Sequence, residues 1–186
     1  ISANTSSVYG NNFSGQDLTN WTPLAATQIG GINLTGATNI PWAALHGNTH
    51  ADGLTDSNFS NTDMTGFNPP TNMKINRINL SGATNINWTN INANTQSLGL
   101  WKADFSNTDL AGFNPIPTLR LDSINYTGAT NIPWAALNAI TNSSGLSYSN
   151  FSGLNLKDFN PPATMDIRKL NLTGATNIPW TALNAN

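Results

Sequence analysis

An all-β solenoid of about eight coils is the fold class this 186-residue chain predicts, on three observations. A 46-residue unit is written four times, apolar residues within it fall about five apart, and Asn, Thr and Ser carry the polarity instead of charge. The unit shows in Phe13, Phe59, Phe105 and Phe151, in Ile32, Ile78, Ile124 and Leu170, and in Trp42, Trp88, Trp134 and Trp180. The block INLTGATNIPW returns as INLSGATNINW, INYTGATNIPW and LNLTGATNIPW. A fixed period of this length marks units that bury their apolar faces only against their neighbours.

The coil follows from the spacing. In the first unit the apolar positions are Val8, Phe13, Leu18, Leu24, Ile29, Leu34, Ile40 and Leu45, and the next cycle begins at Leu54. Steps of five or six residues fit neither the 3.6 of a helix nor the 2.0 of a flat strand. They fit a chain that turns a corner about every five residues and sends one side chain inward from each side. Four sides close one coil, so each unit makes two coils and the chain eight.

Stacking sorts the inward positions into columns. One runs Val8, Ile29, Leu54, Ile75, Leu100, Leu121, Leu146, Ile167, and the next Phe13, Leu34, Phe59, Leu80, Phe105, Tyr126, Phe151, Leu172. A third begins Leu18, Ile40, Met64, Ile86, and a fourth Leu24, Leu45, Pro70, Ile91, continuing to Ile116, Leu137, Pro162 and Leu183. The nine-residue step from Leu45 to Leu54 predicts a protruding loop once per unit. The whole chain, 1–186, reads as one domain with repeats at about 5–50, 51–96, 97–142 and 143–186.

Composition narrows the function. Charged residues are 9 % of the chain and the net charge is −2, with 38 % hydrophobic residues, which is not the make-up of a disordered segment. Seven Lys and Arg spread over four repeats make no nucleic-acid surface. No stretch has transmembrane length. The absence of Cys excludes disulfides and thiolate metal sites. No cofactor is expected. Low charge, no Cys and Asn/Thr richness point to an extracellular or cell-surface protein of prokaryotic type. Asn-x-Ser/Thr sites at Asn12, Asn33, Asn58, Asn79, Asn125, Asn150 and Asn171 recur with the repeat, so most are read as structural.

Around the second and third columns the chain reads NFSGQDLT, SNFSNTDMT, ADFSNTDLAG and SNFSGLNLK. This resembles pentapeptide-repeat proteins, whose consensus is a small residue, Asp or Asn, Leu or Phe, Ser or Thr, then often Gly. The resemblance implies a right-handed quadrilateral β-solenoid, here divergent. The match covers about half of each coil. The six- and nine-residue steps, and bulky Ile32, Ile78, Ile124 and Leu170 where the family has small inward residues, depart from it.

The candidate site is a row of one aromatic per coil at the same corner: Trp21, Trp42, Phe67, Trp88, Phe113, Trp134, Phe159 and Trp180. It reads either as a packing ladder or as a stacking platform for a glycan or another chain, and is expected to run unbroken. The Asn and Ser/Thr rows either bond between coils or present a lattice to polysaccharide or ice. Asp63 and Asp109 stand where other coils carry Asn and make no catalytic pair. His46 and His50 read as solvated loop residues, Asp52 and Asp56 make no calcium loop, and Trp101 has no place in the row.

No unique constellation suggests an enzyme. The expected role is structural: a building block of an extracellular fibre or surface stalk, associating head to tail because no polar cap is written at either end. In that reading Ile1 to Ser7 and Asn184 to Asn186 complete the junction. The alternative is a surface module binding glycan, or less favourably ice, through the aromatic or Asn/Thr face.

Overall fold

The computed structural model of the chain describes residues 6–186. The expected lead-in from Ile1 to Thr5 lies outside them. A run of parallel bridges joins Asn12, Asn33, Asn58, Asn79, Asp104, Asn125, Asn150 and Asn171, each to the next. A second set joins Asp17 to Thr38, Asp63 to Thr84, Asp109 to Thr130 and Asn155 to Thr176. The winding steps alternate between 21 residues within a repeat and 25 between repeats.

The all-β solenoid of eight coils does not stand. Every bridge is an isolated residue pair, and no β-strand or sheet forms among the described residues; bridged positions make up 10 % of the chain. Four five-residue helices interrupt the winding: α1 Trp42–His46, α2 Trp88–Asn92, α3 Trp134–Asn138 and α4 Trp180–Asn184. The corners come too often for strands. Asn39, Asn85, Asn131 and Asn177 all take positive φ, between 50° and 55°, a region that Asn tolerates better than most residues. Asx turns add further bends: the Oδ1 of Asn12, Asn58 and Asn150 accepts from the amide two residues on, at 3.0, 2.9 and 3.0 Å. Extended chain is left only in pieces too short to pair as a ladder.

The helices follow from local sequence. Pro41, Pro133 and Pro179 precede α1, α3 and α4 with φ of −77°, −80° and −80°, pre-setting the turn without leaving an amide unpaired. In the second repeat Asn87 stands there, and its side chain accepts from Thr89 N at 3.1 Å. Each of the first three helices buries one aliphatic residue of the fourth column, Leu45, Ile91 or Leu137.

The expected protruding loop is also corrected. After each of the first three helices the chain returns to the preceding winding: Thr49 N donates to Ala25 O, Thr95 N to Thr71 O and Thr141 N to Pro117 O, at 2.7 to 2.8 Å.

The first two columns are buried from Val8 and Phe13 through Leu146 and Phe151, while Ile167 and Leu172 at the end are half-buried. Half of the fourth column is wrong. Leu24 is 51 % exposed and Ile116 37 %, and Thr27, Met73, Leu119 and Met165 are buried in place of Leu24, Pro70, Ile116 and Pro162. A turn explains the shift by three: Met73 N donates to Pro70 O at 2.9 Å and Leu119 N to Ile116 O at 3.0 Å. The apolar residue opens the turn and the residue that closes it points inward.

Candidate functional site: an aromatic joint between repeats

The aromatic row is not unbroken. Rings pair across the 25-residue step: Trp42 with Phe67 at 5.1 Å, Trp88 with Phe113 at 4.9 Å and Trp134 with Phe159 at 5.4 Å. No ring contact joins Trp21 to Trp42, Phe67 to Trp88 or Phe113 to Trp134 among the described residues. Each Trp also meets the second-column Phe of the next repeat, Phe59, Phe105 or Phe151, at 5.7 to 5.8 Å. The Trp at the start of one repeat's helix therefore sits on an aromatic pair belonging to the following repeat. Offset and edge-on rings at such distances add attraction beyond the area they bury.

Burial follows position in these joints. Phe67, Phe113, Phe159, Trp21 and Trp88 are buried, and Trp42 and Trp134 half-buried. Trp180 is 61 % exposed, and no ring among the described residues lies against it. At the other end, Trp21 packs on Phe13 at 5.0 Å, the repeat-equivalents of Phe67 and Phe59.

The backbone makes the same joint. Leu34 N donates to Asn58 O, Asn58 N to Ile32 O and Gly31 N to Thr55 O, at 2.7 to 2.8 Å. The second joint repeats these as Leu80 N to Asp104 O, Asp104 N to Ile78 O and Arg77 N to Trp101 O. Hydroxyls complete it: Thr35 and Ser60, Ser81 and Ser106, and Thr127 and Ser152 lie with their Oγ atoms 3.0, 2.9 and 3.1 Å apart.

Within a repeat the links are different. Asn39, Asn85, Asn131 and Asn177 donate Nδ2 to Oδ1 of Asp17, Asp63, Asp109 and Asn155 at 2.8 to 3.0 Å. The Asn85 side chain, then the Thr65 amide and hydroxyl, hold the Asp63 carboxyl below the usual carboxylate range, and Asn131 does the same for Asp109. These carboxylates are committed to neighbouring windings.

His46 is not solvated. Its ring stacks at 5.9 Å from Trp42 and lies 5.5 Å from Phe67, and Nε2 accepts from Asn68 N at 3.2 Å. Asn92 and Asn138 fill that place in the next two joints, accepting from Asn114 N and Asn160 N at 2.9 Å. Desolvation pushes the His46 imidazole down to about 4. His50 lies beside Asp52, 3.6 Å from Nδ1 to Oδ2. No cluster of three metal-binding side chains occurs among the described residues.

Trp101, which the spacing left without a place, has cations around its ring: Lys102 Nζ at 4.6 Å, and the guanidinium carbons of Arg120 and Arg77 at 5.1 and 5.5 Å. Arg120 pairs with Asp122 at 2.6 Å and Arg77 with Asp56. Arg77 and Arg120 lie on the windings before and after Trp101, so the 21- and 25-residue steps could have placed all three together. No helix among the described residues is long and apolar enough to cross a membrane.

No family model matches the chain, and no curated protein matches it. Among solved structures, a pentapeptide repeat protein from the cyanobacterium Cyanothece 51142 is similar at 12 % identity, over 92 % of this chain and 89 % of that one, with a TM-score of 0.15. A pentapeptide repeat protein is thus a weak structural neighbour, at a score too low to carry an argument about fold or function.

Proposed function

We propose that this protein is a non-enzymatic structural element, a building block of an extracellular fibre or surface stalk of prokaryotic type that assembles end to end. The observation that carries this reading is the joint between repeats. It is made three times inside the chain, and the first and last described windings each hold half of it. Lys169 N, Leu172 N and Gly174 N occupy the places of Gly31 N, Leu34 N and Gly36 N, which bond across the first joint, and they make no such bond among the described residues. Asn12 N likewise makes no counterpart of the Asn58 N bond among the described residues. Unpaired backbone along an edge templates pairing with another chain, and the two ends differ, so the contact propagates to an open filament. The motifs SNFSNTDMT and ADFSNTDLAG support a divergent relationship to pentapeptide repeat proteins.

Negative-stain microscopy and light scattering over a concentration series test the reading. Filaments, or a mass that grows with concentration, are the expected result. A monomer at every concentration, with discrete particles on the grid, contradicts it.

A further inference from the structure

We infer that two copies of this chain meet in the register of the internal joint, with Trp180 of one copy seated on the Phe13–Trp21 pair of the next. The inference rests on the end-to-end reading and adds the contact residues and the alignment. Three internal joints define the socket: an indole at a helix start, laid on two rings of the following repeat. Trp180 opens α4 as Trp42 opens α1, yet it is 61 % exposed.

The matching half-socket is at the other end. Phe13 and Trp21 pack together, and beside them Asp17 and Leu18 line a cavity of about 360 Å³ open to solvent. In the first joint the indole of Trp42 covers the equivalent pair, Phe59 and Phe67. A second copy is the occupant because its own C-terminal repeat carries the group that fills this socket three times within the chain. Carried across copies, the internal bonds set Leu172 N on Asn12 O, Asn12 N on Leu170 O and Gly174 N on Ser14 O. They also set Thr173 beside Ser14, as Thr35 lies beside Ser60, with Oγ atoms 3.0 Å apart. Docking would desolvate chiefly the Trp180 indole, since Phe13 and Trp21 are already buried.

The chain contains no Cys, so paired thiols report the register without background. Thr173→Cys and Ser14→Cys proteins, each purified reduced and then mixed under mild oxidation, should give a reducible species of twice the mass. That species should exceed the product of either variant alone, because the inferred register brings the two thiols together where a disulfide can close. Trp180→Ala should melt like wild type as a monomer and raise the concentration needed for assembly at least about tenfold, as loss of a central anchor does. If wild type assembles but Thr173→Cys and Ser14→Cys do not cross-link and Trp180→Ala assembles equally well, the register is wrong and the end-to-end reading survives. If wild type stays monomeric at all concentrations, both fall.

Discussion

Trp88 and Trp180 open equivalent helices in equivalent repeats, yet Trp88 is 5 % exposed and Trp180 61 %. What differs is the chain that follows. Phe105 and Phe113 lie against the Trp88 ring at 5.7 and 4.9 Å, and no ring among the described residues lies against Trp180. A Trp that opens a helix is therefore covered, wholly at Trp88 and partly at Trp42 and Trp134, by the repeat after its own. The links within a repeat show no such end effect, since Asn177 keeps its bond to Asn155 as Asn85 keeps its bond to Asp63. Stability inside a repeat and stability between repeats are thus carried by different side chains.

The largest expected effect breaks the comparison at its centre. Trp88→Ala should destabilise the folded chain by about 3–5 kcal/mol, the range for large-to-small core changes. Trp180→Ala should change monomer stability by no more than about 0.5 kcal/mol, as exposed positions do. Urea unfolding of both variants below the assembly concentration reads the difference, and equal losses would refute the assignment of burial to the following repeat.

A smaller effect should come from crowding a joint instead of emptying it. Gly66 has φ +90°, and a Cβ there would stand 3.0 Å from Trp42 Cδ1. Gly66→Ala should cost about 2–3 kcal/mol from the left-handed backbone and the displaced indole together. An unchanged melting temperature would show that Trp42 is not held in its socket.

The link within a repeat offers the control. Asn85→Ala and Asn177→Ala should each cost about 1–2 kcal/mol, by losing one hydrogen bond and forcing Ala into positive φ. Similar losses in the two variants are expected. A negligible loss at Asn177 alone would mean that the last repeat is frayed throughout instead of lacking only its outer partner.

The repeat, the Asn row at its bridges and the first two columns were legible, because each is spelled by the same residue type at the same phase. Asn12, Asn58 and Asn150 could be placed from spacing alone. The helices were not legible, since one turn of WAAL after Pro fits the five-residue spacing as well as an extended side does. Leu24 and Ile116 misled for a related reason: spacing cannot distinguish an inward residue from one that opens a turn three residues before it. In the candidate row the members were legible and their pairing was not. The alternation of Trp and Phe from Trp42 to Phe159 marks which coil precedes a 25-residue step, and that signal was available in the sequence.

An effect that shows only as the pH falls separates the first joint from the other two. His46 is held to about 4, below its ordinary 6.5, so it stays neutral in the folded chain while the unfolded chain takes up a proton. Its contribution is complete above about pH 6.5 and declines as pH falls towards 4, a sign fixed by linkage. His46→Asn, which installs the residue type of Asn92 and Asn138, should flatten stability between pH 6.5 and 4. A slope identical to that of wild type would place the titration elsewhere.

The axial repeat of assembled wild-type protein, averaged from electron micrographs, tests the central claim most directly. Stacking through the internal joint adds eight bridged positions per chain, so the repeat should be roughly 38 Å at about 4.8 Å per step. Filaments with a clearly different repeat, or particles joined through like ends, would contradict it.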